Sequence, residues 1–75
     1  MESIVDQLIC PGKNLWPELL MKNGEESVAV IESENKFVKA MVIRDGTPIP
    51  SDFRCDRVWV VVNECGNIIR IPYVG

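Results

Sequence analysis

The sequence contains no histidine, the residue that most often serves as general base and metal ligand. Without it the chain has no Ser–His or Cys–His pair for nucleophilic catalysis and no zinc site of the ordinary type. The eleven acidic residues are scattered along 75 positions, which is typical of a solvated surface rather than of two carboxylates facing a cleft. We therefore expect no enzyme, no catalytic residue, no metal and no cofactor.

Long apolar runs and an excess of basic charge are absent as well. No run approaches the ~20 apolar residues of a membrane-spanning helix. Residues 1–9 lack the basic start of a signal peptide and are interrupted by Asp6 and Gln7. Eight basic against eleven acidic residues give a net charge of −3, which disfavours a phosphate-binding surface. We expect a monomer that binds neither nucleic acid nor membrane; the compartment stays open between extracellular, vacuolar and cytoplasmic.

What the sequence does contain is the composition of a globular domain, with 47% hydrophobic residues. A length of 75 residues suffices for one core, so residues 1–75 are predicted to form a single domain. So short a chain buries only about 60% of the surface that its unfolded form exposes. A covalent cross-link would help to stabilise it, and three cysteines are present.

The chain begins with a segment that shows no periodicity. Residues 1–15 are predicted to form an irregular arm, with a turn at Pro11 and Gly12. The apolar cluster Trp16–Leu20 follows, in which Pro17 favours the start of one helical turn. We expect Trp16 and Leu19 in the core.

One helix is predicted over residues 24–35. Asn23 and Glu26 have the spacing of a capping box, in which a side chain at the helix start accepts a hydrogen bond from the first turn. The apolar stripe is assigned to residues 28–31. Asn35 is predicted to stop the helix in a left-handed conformation.

Three apolar runs predict strands at residues 37–43, 57–62 and 68–71. The second is apolar at every position after Arg57, which is typical of the centre of a sheet. Turn residues at 63–67 predict that the last two strands form an antiparallel hairpin. Residues 44–56, between the first two strands, have no apolar periodicity, and so long a loop in a small domain is usually functional.

Two prolines hold the middle of this loop extended. Pro48 and Pro50 fix their own φ angles and bias the residues before them away from helical geometry. They also lack N–H groups, which leaves the N–H groups of Ile49 and Ser51 free along one edge. A stiff extended segment of this kind adds to the sheet edge of another protein at low entropic cost. The alternative is a proline-rich turn without a partner.

The chain resembles the potato inhibitor I family of serine proteinase inhibitors, and most closely its plant members. The resemblance covers residues 10–75 and rests on six motifs in order: Cys10-Pro11-Gly12-Lys13, Trp16-Pro17-Glu18-Leu19, Asn23-Gly24-Glu25-Glu26, Gly46-Thr47-Pro48, Phe53-Arg54-Cys55-Asp56-Arg57-Val58 and Ile71-Pro72-Tyr73-Val74-Gly75. It implies an α+β fold with one helix packed on a small mixed β-sheet and a long exposed reactive-site loop. It also implies a subtilisin-like, chymotrypsin-like or elastase-like serine proteinase as partner.

The resemblance further implies which loop residues act. Ser51 and Asp52 would flank the inhibited bond, and Asp52 would be supported by Arg57. The flanking contacts to the proteinase would come from Thr47, Pro48, Ile49, Pro50, Phe53 and Arg54.

The sequence departs from the family pattern at two loop-support positions. Pro50 replaces a threonine, and Trp59 replaces a second supporting arginine. Arg54 is a candidate substitute donor. A surface cation remains the alternative for Arg57, and we expect Trp59 to pack within the sheet rather than contact the proteinase.

Geometry excludes one disulfide among the three cysteines, and the family resemblance implies another. A strand between Cys55 and Cys65 would hold them about 30 Å apart, beyond disulfide reach. The family resemblance implies a Cys10–Cys55 disulfide, with Cys65 left as an exposed free thiol.

The alternative to a proteinase inhibitor is a non-inhibitory interaction or defence module that keeps the fold with a diverged loop.

Overall fold

The computed structural model describes residues 10–75, and residues 1–9 of the predicted arm lie outside this range. After a short 3-10 turn, Pro17–Leu19, the chain forms a helix and three strands. These are α1, Gly24–Glu34; β1, Lys39–Arg44; β2, Arg57–Val62; and β3, Tyr73–Val74. The predicted class, one helix on a small mixed sheet, is confirmed.

Helix α1 begins where the capping pattern predicts. Asn23 is extended, and its Oδ1 accepts a hydrogen bond of 2.9 Å from the N–H of Glu26. Glu25 and Glu26 place negative charge at the positive, N-terminal end of the helix dipole, which favours the helix electrostatically. The helix start was therefore predictable from local chemistry.

The predicted left-handed stop at Asn35 is wrong. Asn35 has φ −140° and ψ 105°, which is extended backbone. Its buried side chain donates from Nδ2 to the carbonyl oxygens of Pro11 at 3.0 Å and Lys13 at 2.8 Å, and its Oδ1 accepts from the N–H of Phe37. Asn35 thus ends the helix while fixing the arm against it.

The buried face of α1 is narrower than predicted. It consists of Gly24, Ser27 and Ile31, with Val28 partly buried, whereas Ala29 and Val30 are exposed. Small residues are needed on this face because the helix packs closely on the sheet. A Cβ on Gly24 would lie 2.5 Å from Cγ1 of Val62. The first turn of α1 therefore lies directly against β2.

The sheet has the order β1-β2-β3, so β2 is central as predicted. β1 runs parallel to β2, from the pair Lys39–Arg57 to the pair Arg44–Val62. β3 is antiparallel to β2 and pairs Trp59 with Tyr73. β1 begins two residues later than predicted, because residues 36 and 37 form a turn after the helix.

The predicted strand 68–71 is misplaced. Ile68 makes only an isolated bridge to Val62, and the strand that pairs with β2 is Tyr73–Val74. The N–H of Ile69 donates to the carbonyl of Val61, so antiparallel pairing begins after the turn, but the chain bends at Arg70 and Pro72 has no N–H to donate. The pairing resumes two residues out of register, since Val62 faces Ile68 whereas Trp59 faces Tyr73.

The two faces of the sheet have different neighbours. Strand alternation places Val58, Val60 and Val62 in the core with Ile31 of α1, and places Trp59 on the opposite face. Trp16 and Leu19 belong to the core, as predicted, together with Cys10, Val38, Ala40, Ile68 and Val74.

The parallel pairing determines the course of the loop. A chain that leaves β1 must return to the other end of the sheet before β2 begins. Six residues per strand make that distance about 20 Å. Residues 45–56 therefore run along the sheet instead of turning tightly.

Candidate functional site

The candidate site is the exposed loop of residues 45–56, whose entry is fixed by backbone hydrogen bonds. The N–H of Asp45 donates to the backbone carbonyl of Val62 at 2.9 Å, and the N–H of Thr47 donates to the backbone carbonyl of Arg44 at 3.1 Å. The second bond closes a four-residue turn in which Gly46 has φ 90°. Glycine adopts this conformation without the steric cost of a side chain.

The middle of the loop is exposed and leaves its donors free. All residues from Pro48 to Phe53 are exposed, and Phe53 retains 64% of its accessible surface. The N–H groups of Ile49 and Ser51 donate to no residue that the structure describes. This is the free edge that the alternate prolines predict, and it is available to a partner backbone.

Arg57 supports the downstream end of the loop. Its Nη2 donates to the backbone carbonyl of Asp52 at 2.8 Å and lies 3.4 Å from Oδ1 of the same residue. Its Nε donates to the carbonyl of Gly75 at 2.9 Å, and the Arg57 side chain is only 12% exposed. The sequence predicted the carboxylate contact but missed both carbonyls, because side-chain bonds to distant backbone atoms leave no sequence pattern.

Trp59 packs beneath Arg57. The Cζ atom of Arg57 lies 5.0 Å from the centre of the Trp59 ring, a distance at which the cation is attracted to the aromatic face. Trp59 also faces Tyr73 across the strand pair, as expected for a packing residue. Its buried Nε1 has no hydrogen-bond acceptor among residues 10–75.

Arg54 does not take the place of a second support. Its Nε and Nη2 donate to the two carboxylate oxygens of Asp56 at 2.9 and 2.8 Å, and both side chains are exposed. The hydrogen bond from Arg54 lowers the pKa of the Asp56 carboxyl below its ordinary value. This pair lies within the loop and leaves Pro50 without a side-chain brace from Arg54.

A disulfide joins the end of the loop to the arm. Cys10 and Cys55 are bonded, with Cα atoms 5.2 Å apart, which confirms the pairing. Cys10 is buried in the core, so Cys55 is fixed to the folded body one residue before Asp56. Cys65 is exposed and free, as predicted.

The part of the chain that the structure describes lacks two further features, a metal-binding cluster and a membrane-spanning helix. Residues 10–75 contain no cluster of three or more side chains arranged to hold a metal ion. Within the same range no helix has the length and apolar character needed to cross a membrane.

Comparisons with known proteins point to one family. The model of the potato inhibitor I family matches residues 10–75. A proteinase inhibitor of Linum usitatissimum is 49% identical over 65 residues, which cover 87% of this chain and 94% of the relative. A trypsin/subtilisin inhibitor of Amaranthus caudatus is 48% identical over 65 residues, with the same coverage of 87% and 94%. The crystal structure of bitter gourd trypsin inhibitor matches with a TM-score of 0.86 at 47% identity, covering 88% of this chain and 97% of that chain.

Proposed function

The chain belongs to the potato inhibitor I family, and on that basis we propose that it inhibits a serine proteinase, as a monomer, with Ser51–Asp52 as the reactive-site bond. Family membership makes the chain a proteinase inhibitor and not an enzyme. Beyond family membership, we propose which bond is the reactive site, which flanking residues contact the proteinase and which type of proteinase is the target. Residues 47–54 occupy the proteinase cleft as a substrate would.

One observation carries the proposal: the exposed segment between Thr47 and Asp52 is fixed at both ends and free in the middle. The N–H of Thr47 holds the entry, and Arg57 holds the carbonyl of Asp52. The segment therefore loses little conformational entropy when it binds. The free N–H groups of Ile49 and Ser51 pair with the backbone of the proteinase, as in the addition of a strand to a sheet edge.

Slow cleavage follows from the same restraints. When the bond after Ser51 is attacked, the departing amine belongs to Asp52, whose carbonyl is bonded to Arg57. Cys55, three residues further along, is held by the disulfide. The amine thus stays beside the acyl group, and the reverse reaction competes with hydrolysis because both partners are already positioned.

The residue at position 51 determines the target. Serine is small and fills a deep pocket poorly, so we propose an elastase-like, subtilisin-like or chymotrypsin-like proteinase with a permissive pocket. Phe53 and Arg54 contact the proteinase on the other side of the bond.

Progress curves of proteolysis test the assignment of Ser51. Ser51→Leu and Ser51→Phe are expected to tighten binding to subtilisin or chymotrypsin at least about tenfold, or ~1.4 kcal/mol, and Ser51→Lys to create trypsin inhibition. The matched controls are the same three changes at Ser33, which is exposed on α1. If the Ser51 variants inhibit all three enzymes as the parent does, the reactive bond lies elsewhere.

A further inference from the structure

A cleft lies between the loop and the outer face of the sheet. Its volume is about 440 Å³, within the range of small-molecule sites. The loop contributes Thr47 and Ile49 to its lining, and the sheet side contributes Trp59, Val61 and Tyr73. The N–H of Ile49 donates no hydrogen bond to the described part of the chain.

The charge of the cleft is opposite to that of the chain. Arg44, Asp45 and Arg70 line it, which gives one net positive charge in a protein of net charge −3. Arg70 lies 3.2 Å from Oδ1 of Asp45, whereas Arg44 forms no ion pair with an acid in residues 10–75. Guanidinium groups bind carboxylates through paired, charge-assisted hydrogen bonds.

The walls favour a flat apolar ligand. Trp59 and Tyr73 supply aromatic surface, and Ile43, Ile49, Val61 and Ile71 supply aliphatic surface. A planar aromatic ring can contact both kinds of surface.

We infer that this cleft binds a small planar aromatic carboxylate. The ring contacts Ile49 on the loop side and Trp59 and Tyr73 on the sheet side, and the carboxylate is held by Arg44 and Arg70. A ligand in this position connects the loop to the sheet where the protein itself makes no hydrogen bond. It therefore stiffens the upstream half of the loop. The binding site stands apart from the assignment of the reactive bond.

Titration of the 15N-labelled protein with 2-naphthoate tests the site without any proteinase. The chain has two indole N–H signals, from Trp16 and Trp59. Trp16 is fully buried and donates to Glu34 at 2.9 Å, so it serves as an internal control. The Trp59 signal is expected to shift with a dissociation constant on the order of 1 mM. Neutral 2-naphthamide, of the same shape, is expected to bind at least about fivefold more weakly.

Variants of the charged residues in the cleft are expected to change the affinity for 2-naphthoate in opposite directions. Arg44→Gln and Arg70→Gln are expected to weaken 2-naphthoate binding about threefold or more, and Asp45→Asn to tighten it about threefold, because it removes a competing carboxylate. Lys36→Gln removes one positive charge outside the cleft and is expected to change binding less than about twofold. Tighter binding by Asp45→Asn cannot arise from loss of folding.

Two results would overturn the inference. The first is equal binding of the acid and the amide, or equal shifts of the Trp16 and Trp59 signals. The second is unchanged 15N order parameters of the Ile49 and Ser51 N–H groups with saturating 2-naphthoate, which would refute the stiffening; we expect both order parameters to rise.

Discussion

The guanidinium of Arg57 connects two distant backbone carbonyls, those of Asp52 and Gly75. The carbonyl of Asp52 is at 2.8 Å and its carboxylate at 3.4 Å, so the carbonyl is the closer partner. Arg57→Ala is expected to speed proteolysis of the Ser51–Asp52 bond more than Asp52→Ala does, because only the former removes the carbonyl contact. Intact-mass measurements during incubation with subtilisin give the rates.

Lys36→Ala is the matched control for that series. It removes an exposed cation that lies outside the loop of residues 45–56. Its rate is expected to stay within about twofold of the parent. If Asp52→Ala is cleaved as fast as Arg57→Ala, the carboxylate and not the carbonyl is the contact that holds the loop.

Met21 is the one non-glycine residue in the described chain with a positive φ, at 72°. A side chain in this left-handed region costs roughly 1 kcal/mol, and asparagine tolerates it better than methionine. Met21 is also largely exposed, so little packing is lost on substitution. Met21→Asn is expected to raise the free energy of unfolding by about 0.5 kcal/mol in urea titrations. Leu20→Asn, at φ −57°, is the control and should give no gain.

At the scale of elements, a charged cluster adds to the hydrogen bonds of Asn35 that attach the arm to the end of α1. Lys13 donates to Glu18 and Glu34, and Glu34 also accepts from Nε1 of Trp16. The hydrogen bond from Lys13 is the main reason that the pKa of each glutamate lies below its ordinary value. A carboxyl with a lowered folded pKa stabilises the protein above its unfolded pKa and loses that contribution as the pH falls through the folded value.

The stability of the protein is therefore expected to fall on acidification below about pH 5. Glu34→Gln keeps an oxygen acceptor for Trp16 but removes the charge, so its melting temperature should be lower at pH 7 and depend less on pH between about 5 and 3. Glu64→Gln, in the 63–67 turn, is the control, and its melting temperature should change with pH as that of the parent does. Parallel curves for the parent and Glu34→Gln would show that this cluster does not contribute.

Elements defined by local chemistry could be predicted from the sequence, and those defined by distant partners could not. The start of α1 depends on Asn23 and a residue three positions away, and the prediction was correct. The last strand was misplaced because its pairing with β2 is interrupted after Ile69 and resumes at Tyr73, a two-residue offset that no local pattern indicates. In the loop, the free N–H groups followed from the prolines, whereas the bond from Arg57 to Gly75 spans 18 positions and was missed.

At the scale of the molecule, the Cys10–Cys55 disulfide closes a segment of 45 residues. In the chain-entropy model such a cross-link stabilises by roughly 4 kcal/mol. Replacing both cysteines by serine is expected to lower the unfolding free energy by up to that amount and to speed loop cleavage. Urea unfolding measures the change in free energy, and intact-mass measurements during incubation with subtilisin give the rate of loop cleavage. Cys65→Ser is the control and should match the parent, since Cys65 is outside the bridge.

The position of this disulfide also determines what a cut in the loop produces. Hydrolysis between residues 51 and 52 places Cys10 and β1 in one fragment and Cys55 and β2 in the other. The nicked product is a covalent two-chain molecule, whose fragments remain paired along six residues of parallel sheet. Its new termini meet at an effective concentration in the millimolar range or above, independent of dilution. Religation is therefore a unimolecular reaction, and without reductant the cut protein differs from the intact one by the mass of a single water.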